Sequence, residues 1–218
     1  DAKNDKMDGK ILRYERKGYL STKTDTKNGE KDGLYEEYFP SGKIKEKGAI
    51  KLGKAEGKWI TYNEEGKVIK ECEFVGGELT GAFKKYHANG TLAGDDKYEK
   101  GKIVSELDYD EDGKKFFEGV YKNGILNSYK YFDKTGKVIR EATETKGELD
   151  FMGYFPDGKL SFKGKYKKGE RDGEWTYYYW NGAIREQETY EKGMLQGEFT
   201  VYHKNGNVKK QGNYKNNE

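Results

Sequence analysis

The sequence predicts an all-β fold: an elongated, single-layer, twisted antiparallel meander of about nine stacked hairpins, without substantial helix. Three observations predict it. Glycine recurs as an anchor at Gly18, Gly42, Gly66, Gly90, Gly113, Gly136, Gly158, Gly182 and Gly206, spaced 24, 24, 24, 23, 23, 22, 24 and 24 residues apart, which is the signature of a repeat architecture. A second glycine follows each of the first eight anchors by 11 residues, from Gly29 to Gly193, and Asn217 takes its place in the last unit. Between the two lie only runs of strand length; no stretch of helical length carries apolar residues at three-and-four spacing without a glycine interrupting it.

Each unit therefore reads as strand, tight turn, strand, tight turn. The anchor turns are written Phe39-Pro40-Ser41-Gly42, His87-Ala88-Asn89-Gly90 and Phe155-Pro156-Asp157-Gly158, and Asn-Gly or Asp-Gly between apolar runs is a strong hairpin signal. Both prolines, Pro40 and Pro156, stand two residues before an anchor, where a type I turn accepts the fixed φ of proline and no ladder N–H is lost. The anchor is then expected to be left-handed, in a G1 bulge, and the second glycine to form the same turn at the other end. Connections this short cannot cross over, so successive units continue one antiparallel sheet.

Alternation in the second strand puts Val68, Lys70, Cys72 and Phe74 on one face. The third of these positions is small in most units: Gly48, Cys72, Gly119, Ala142, Gly164 and Gly212. A small residue beside aromatics lets a ring lie flat over the backbone. In the first strand Trp59 and Tyr62 are an odd number of residues apart, so both faces carry rings unless a bulge intervenes.

Along the chain, residues 1–8 read as a loose tail and residues 9–218 as one array. The first unit is degenerate, with Thr26 and Lys31 at apolar positions, as terminal repeats usually are. Units two to four are regular. Units five to seven are shortened and carry Val104, Asn127 and Leu149 where a glycine is expected, and the last two units are regular again. Eighteen strands in one layer span roughly 85 Å at about 4.8 Å per strand. The two outer strands are open edges, at which self-association is an option.

Composition narrows the function. Hydrophobic residues make up 33% and charged residues 37% of the 218, too polar for a large two-layer core. Nineteen tyrosines supply ring pairs instead, each worth about 0.2–1 kcal/mol. A net charge of +3 without a clustered basic face argues against nucleic acid, and membrane-surface binding is not expected. The single cysteine, Cys72, allows no internal disulfide and reads as a small apolar filler. His87 and His203 occupy equivalent turn-flanking positions five repeats apart, too distant in a flat array to share a site. No phosphate loop, nucleophile setting or cofactor motif is present, so a non-enzymatic protein without a cofactor is expected.

Two stretches are candidate sites. Glu174–Gly182 reads EWTYYYWNG; Trp175, Tyr177, Tyr179 and Trp180 form an aromatic cluster suited to stacking on a sugar or a protein partner, or to widening the sheet's own ladder. Asp108, Asp110 and Asp112, followed by Gly113, match the first half of a calcium loop. The twelfth position is Gly119, so the bidentate glutamate of such loops is missing, and the alternative is an acidic turn.

The unit G-x-[WYF]-x-x-Y-x-x-x-G-x-[IVL], with its second glycine 11 residues after the anchor, resembles the bacterial variant of the MORN repeat across residues 9–218. That variant occurs in exported 24-residue-repeat proteins and in the YwqK-type antitoxin family. The resemblance implies a sheet of stacked hairpins and a scaffold that contacts a protein or glycan, exported to the periplasm or cell surface. A cytoplasmic antitoxin that neutralises a toxin by binding it is the alternative. The eukaryotic pattern has further glycines where this chain has Tyr62, Tyr86 and Tyr178, so phosphoinositide binding does not carry over.

Overall fold

The computed structural model describes residues 8–215 and 217. The tail expected over residues 1–8 lies outside these except for Asp8, whose Oδ1 accepts a 2.6 Å hydrogen bond from the Asn28 amide. The described residues form eighteen strands and no helix. They fall in two compact units that divide at Gly113/Lys114.

The first unit holds β1 (Gly9–Tyr14), β2 (Leu20–Lys27), β3 (Glu30–Tyr38), β4 (Ile44–Lys51), β5 (Lys54–Tyr62), β6 (Val68–Val75), β7 (Glu78–Tyr86), β8 (Leu92–Glu99) and β9 (Lys102–Tyr109). Each is hydrogen-bonded to the next, so sequence order is sheet order. The second unit holds β10 (Lys115–Lys122), β11 (Ile125–Phe132), β12 (Val138–Thr143), β13 (Glu148–Tyr154), β14 (Leu160–Lys167), β15 (Glu170–Tyr178), β16 (Ile184–Glu191), β17 (Met194–Tyr202) and β18 (Val208–Tyr214). Here β10–β12 run in order and β13–β18 run in order, with a break in the ladder between β12 and β13.

The two turns of each hairpin unit differ. At the anchor turn the glycine N–H donates to the carbonyl three residues back, as Gly66 does to Asn63 at 2.9 Å, and the Asn63 N–H donates to Lys67 O at 2.9 Å. With Gly66 at φ +87°, this is the expected type I turn with a G1 bulge. The second glycine corrects the expectation. Lys51 pairs directly with Lys54, leaving a two-residue loop in which both Leu52 (φ +49°) and Gly53 (φ +76°) are left-handed. Positive φ at both central residues marks a type I′ turn, whose twist matches that of the strands. Asn28, Lys100, Asn123, Lys146, Lys168 and Lys192 repeat the geometry of Leu52. The Gly53 N–H also donates to Lys31 O at 2.8 Å and the Gly77 N–H to Ala55 O at 2.9 Å, so each of these turns is pinned to the preceding hairpin.

A third glycine does work that the sequence pattern did not disclose. Lys47 pairs with Ile60 and Ala49 with Glu56, so Gly57, Lys58 and Trp59 together oppose Gly48. Gly57, at φ +67°, bunches the strand there and lays the Trp59 ring flat on Gly48: a Cβ added to Gly48 would meet the ring at 2.2 Å. Trp59 and Tyr62 do face opposite sides. Trp59 meets Tyr35 and Phe74, with centroids at 5.3 and 5.9 Å. Tyr62 lies on the other face under the Lys47 ammonium, 5.5 Å from its centroid.

Leu149 takes the place of the bunching glycine in β13 and is buried. Among the described residues it joins Phe117, Tyr129 and Tyr131 in a small core, with Ile139, Phe151 and Tyr154 packed around it. Burying each such side chain contributes roughly 1.5–3 kcal/mol. The edge of β13 exposed by the break is covered by a side chain: the Tyr129 hydroxyl donates to Asp150 O at 3.0 Å and accepts from the Met152 N–H at 2.9 Å. One phenol thus satisfies a carbonyl and an amide that the missing ladder leaves without strand partners.

Candidate functional site

The aromatic stretch of the second unit divides into two places. Trp175 is only 1% exposed. Gly173, Glu174 and Trp175 together oppose Gly164, and the indole lies on that glycine, 2.2 Å from where a Cβ would be. The Arg171 guanidinium stacks 4.5 Å from its centroid, and Tyr166 meets it edge-on at 5.2 Å. Trp175 is a structural ring with no face left for a partner. Tyr177, expected beside it in a contact site, is half-buried in the same column: Arg171 Nη1 donates to the Tyr177 and Tyr190 hydroxyls, both at 3.0 Å. Burial pushes the Tyr177 phenol above its ordinary value, against the pull of Arg171.

Tyr179 and Trp180 lie at the anchor turn between β15 and β16, because Tyr179 starts the turn: its N–H donates to Ala183 O and its carbonyl accepts from the Gly182 N–H, both at 2.8 Å. The Tyr179 hydroxyl donates to Tyr202 O at 2.7 Å, tying this turn to the next one. Lys204 Nζ sits 6.0 Å over the Tyr179 ring. Trp180 is 52% exposed. One side of it meets Phe155, from the equivalent turn of the preceding hairpin, at 4.9 Å between centroids. Lys159 Nζ lies 5.9 Å from the Trp180 ring and is also paired with Asp157 at 3.1 Å. The turn edge therefore presents two rings in tilted contact with an ammonium at their border. Phe155 was not singled out by sequence; its position three residues before an anchor, the same as that of Tyr179, is the signal that could have found it.

The structure does not gather Asp108, Asp110 and Asp112. Asp110 and Asp112 belong to the anchor turn, where Asp110 Oδ1 accepts from the Asp112 N–H at 3.1 Å and Asp110 O from the Gly113 N–H at 2.9 Å. Asp108 lies in β9 and turns instead toward Asp96 and Glu106; one carboxylate oxygen from each lies within 4.8 Å of the others. Lys85 Nζ is 3.2 Å from Asp96 and 3.7 Å from Asp108. Burial, then the Glu106 charge, pushes the Asp108 carboxyl up to about 6. Burial likewise raises that of Asp96, against the Lys85 charge. The histidines are turn residues: His87 Nε2 is bonded to Tyr109 O at 2.9 Å, and the His203 N–H donates to Asn207 O. Cys72 is a buried free thiol opposite Trp59.

Comparisons with known proteins follow this geometry. No curated protein matches the chain. Solved structures similar to it include the TcdB2-TccC3-Cdc42 complex, at 13% identity and a TM-score of 0.23 over 95% of this chain and 13% of that one. The Tc holotoxin pore of Photorhabdus luminescens matches at 13% identity and a TM-score of 0.19 over 91% of this chain and 14% of that one. The chain thus spans about a seventh of the length of those chains, and likenesses this slight carry no functional argument. The family model described as the MORN repeat variant matches residues 31–50, 55–75, 79–100, 171–192 and 195–216. Each match begins within a first strand and takes in the anchor turn and second strand of the same hairpin, so the repeat seen in the glycines, in the strands and in the family model is one repeat, and the chain belongs to the MORN repeat variant family.

Proposed function

We propose that this chain is a non-enzymatic binding scaffold that takes a protein or glycan partner at the turn edge formed by Phe155, Tyr179 and Trp180. The observation that carries the reading is the exposed Trp180 ring, in tilted contact with Phe155 and bordered by Lys159. The array fixes both rings through hydrogen-bonded turns, so little order has to be gained on binding. Exposed aromatic rings suit the flat face of a sugar or an apolar protein side chain, and the nearby ammonium favours a partner bearing a carboxylate or sulfate. The repeat array supports a scaffold in general; the partner is the part to be found.

The test compares the intact chain with Trp180→Ala on an array of neutral and acidic glycans and in crosslinking to proteins of the source cell. Trp180 is 52% exposed and Trp175 1%, so a partner seated at this edge also shields indole fluorescence from a soluble quencher. Binding that is lost in Trp180→Ala, with unchanged melting, is the expected result. Binding that survives the substitution, or substrate turnover that a point change abolishes, would overturn the reading.

A further inference from the structure

The second unit holds a hollow where its array is interrupted. Between β12 and β13 the chain reverses in a two-residue turn, Lys146-Gly147, closed by the Thr145–Glu148 bridge. In the regular hairpins the second glycine pins its turn to a backbone carbonyl of the preceding hairpin, as Gly53 does to Lys31 and Gly77 to Ala55. The Gly147 N–H donates instead to the Glu144 carboxylate of its own connection. Other contacts hold this turn: the Glu144 N–H donates to Asn127 O at 2.7 Å, and the Lys168 N–H to Gly147 O at 2.6 Å. Ile125 closes over the next turn, where a Cβ on Gly169 would stand 2.8 Å from Ile125 Cγ2. The segments around Gly147, Gly169 and the start of β11 thus border a cavity of about 280 Å³.

The lining is amphipathic. Leu126, Leu149 and Tyr166 bring the edge of the small core to the cavity, and Ile125 adds a further apolar side chain. Lys122 and Lys168 also line it, and both are exposed. Neither ammonium has an ion-pair partner among the described residues. Glu144 is the one carboxylate of the lining, and its Oε1 is already engaged by the Gly147 N–H. Two ammoniums therefore face one carboxylate beside an apolar wall. An apolar cavity of about 150 Å³ holds a benzene ring, so this one has room for on the order of ten non-hydrogen atoms.

We propose that this cavity binds a small carboxylate with an apolar body, of the size of a medium-chain fatty acid. Its tail lies against Leu126, Leu149 and Tyr166, where apolar surface on both partners leaves water. Its carboxylate meets Lys122 and Lys168, whose long stems let the ammoniums reach it while they stay hydrated. Apolar walls with a few convergent polar groups are the usual make-up of a small-molecule site. The site is separate from the turn edge at Trp180 and stands or falls independently of it.

Calorimetric titration of the full chain with octanoate, butanoate and 1-octanol tests this, beside the double variant Lys122→Gln/Lys168→Asn. Both replaced side chains are exposed, and asparagine already holds the left-handed position of Lys168 (φ +53°) at Asn28 and Asn123, so the variant keeps its turn; thermal melting checks it. The expected result is one octanoate per chain. Butanoate should bind more weakly by tenfold or more, since each methylene brings roughly two- to fourfold. Octanoate should lose about tenfold in the double variant, whereas octanol should not respond to it. Cross-relaxation from octanoate to the Leu149 methyls and the Tyr166 ring places the ligand. The proposal is overturned if octanoate does not bind at millimolar concentration, if butanoate binds as tightly, if the folded double variant binds octanoate like the parent or loses octanol equally, or if the cross-relaxation misses Leu149 and Tyr166.

Discussion

Replacing Gly164 by alanine puts a methyl group where the Trp175 ring lies. The new Cβ would stand 2.2 Å from Trp175 Cδ2 and 2.4 Å from Cε2, so the indole has to move by about 1 Å or more to reach ordinary van der Waals separation of about 3.5 Å. It has little room. Arg171 covers it at 4.5 Å, Tyr166 meets it at 5.2 Å, and Phe162 and Tyr190 each lie 6.2 Å away. Overpacking of this kind costs about 1–3 kcal/mol. Gly164 has no positive φ, so alanine also narrows the unfolded ensemble and returns about 0.4–1 kcal/mol. The net expectation is a loss of about 1–2 kcal/mol. For a cooperative unit of this size that lowers the melting temperature by roughly 5–15 °C. Thermal unfolding followed by tryptophan emission measures it. In a double-mutant cycle, Trp175→Leu should remove most of the penalty, because the clash needs both partners. A Gly164→Ala protein that melts at or above the parent temperature would refute the reasoning, since only the unfolded-state gain would then remain.

Three further outcomes follow from the same geometry. Leu52→Gly should stabilise the chain by about 1 kcal/mol, because Leu52 is 69% exposed and held at φ +49°, where an L side chain costs roughly 1–2 kcal/mol; a urea midpoint that stays put or falls would contradict the type I′ turn. Tyr129→Phe should cost about 1–3 kcal/mol, because Asp150 O and the Met152 N–H lose their shared partner; amide exchange at Met152 should speed up with it, and protection equal to the parent would sink this. The Glu36 carboxyl is held below its usual value, first by the hydrogen bond from Lys23 and then by that from Tyr38. A depressed folded value means that stability is fully present above the unfolded value and is lost as pH falls through the folded one. Glu36→Gln should therefore flatten the acid limb of the pH–stability curve, and an unchanged acid limb would contradict the pairing.

The sequence made the hairpin array legible because turns are local events. Gly66 and its equivalents, Pro40 and Pro156 need only their immediate neighbours to specify a reversal. The type I′ turn was not read, because Leu52, Lys100 and Lys168 are poor left-handed residues and carry no composition signal of their own. The role of Gly57 was missed for a related reason: a bulge is a relation between strands, visible only once Gly57–Trp59 is seen opposite Gly48. Leu149 in the position of Gly57 does not by itself mark the ladder break before β13, because Val104 and Asn127 hold the same position in strands that stay paired to their predecessors. In EWTYYYWNG the spacing grouped Trp175 with Tyr177, Tyr179 and Trp180 as one cluster, whereas Trp175 is buried under Arg171 by a stacking contact that no local pattern encodes. The grouping of Asp108 with Asp96 and Glu106 was legible in principle, since Asp96 and Glu106 each break a column of the repeat; the local D-x-D-x-D spacing at Asp108–Asp112 pointed to the neighbouring turn instead.

In each of the two units, rings lie flat on glycines of the sheet. Proton NMR of the glycine α-protons tests it most directly. Gly48, Gly164 and Gly212 lie under Trp59, Trp175 and Phe199, whereas a Cβ on Gly66 or Gly182 would meet nothing within 4 Å. The account predicts strong upfield ring-current shifts for the first three, with cross-relaxation to their named rings, and ordinary shifts for Gly66 and Gly182. Ordinary shifts at all five would contradict it.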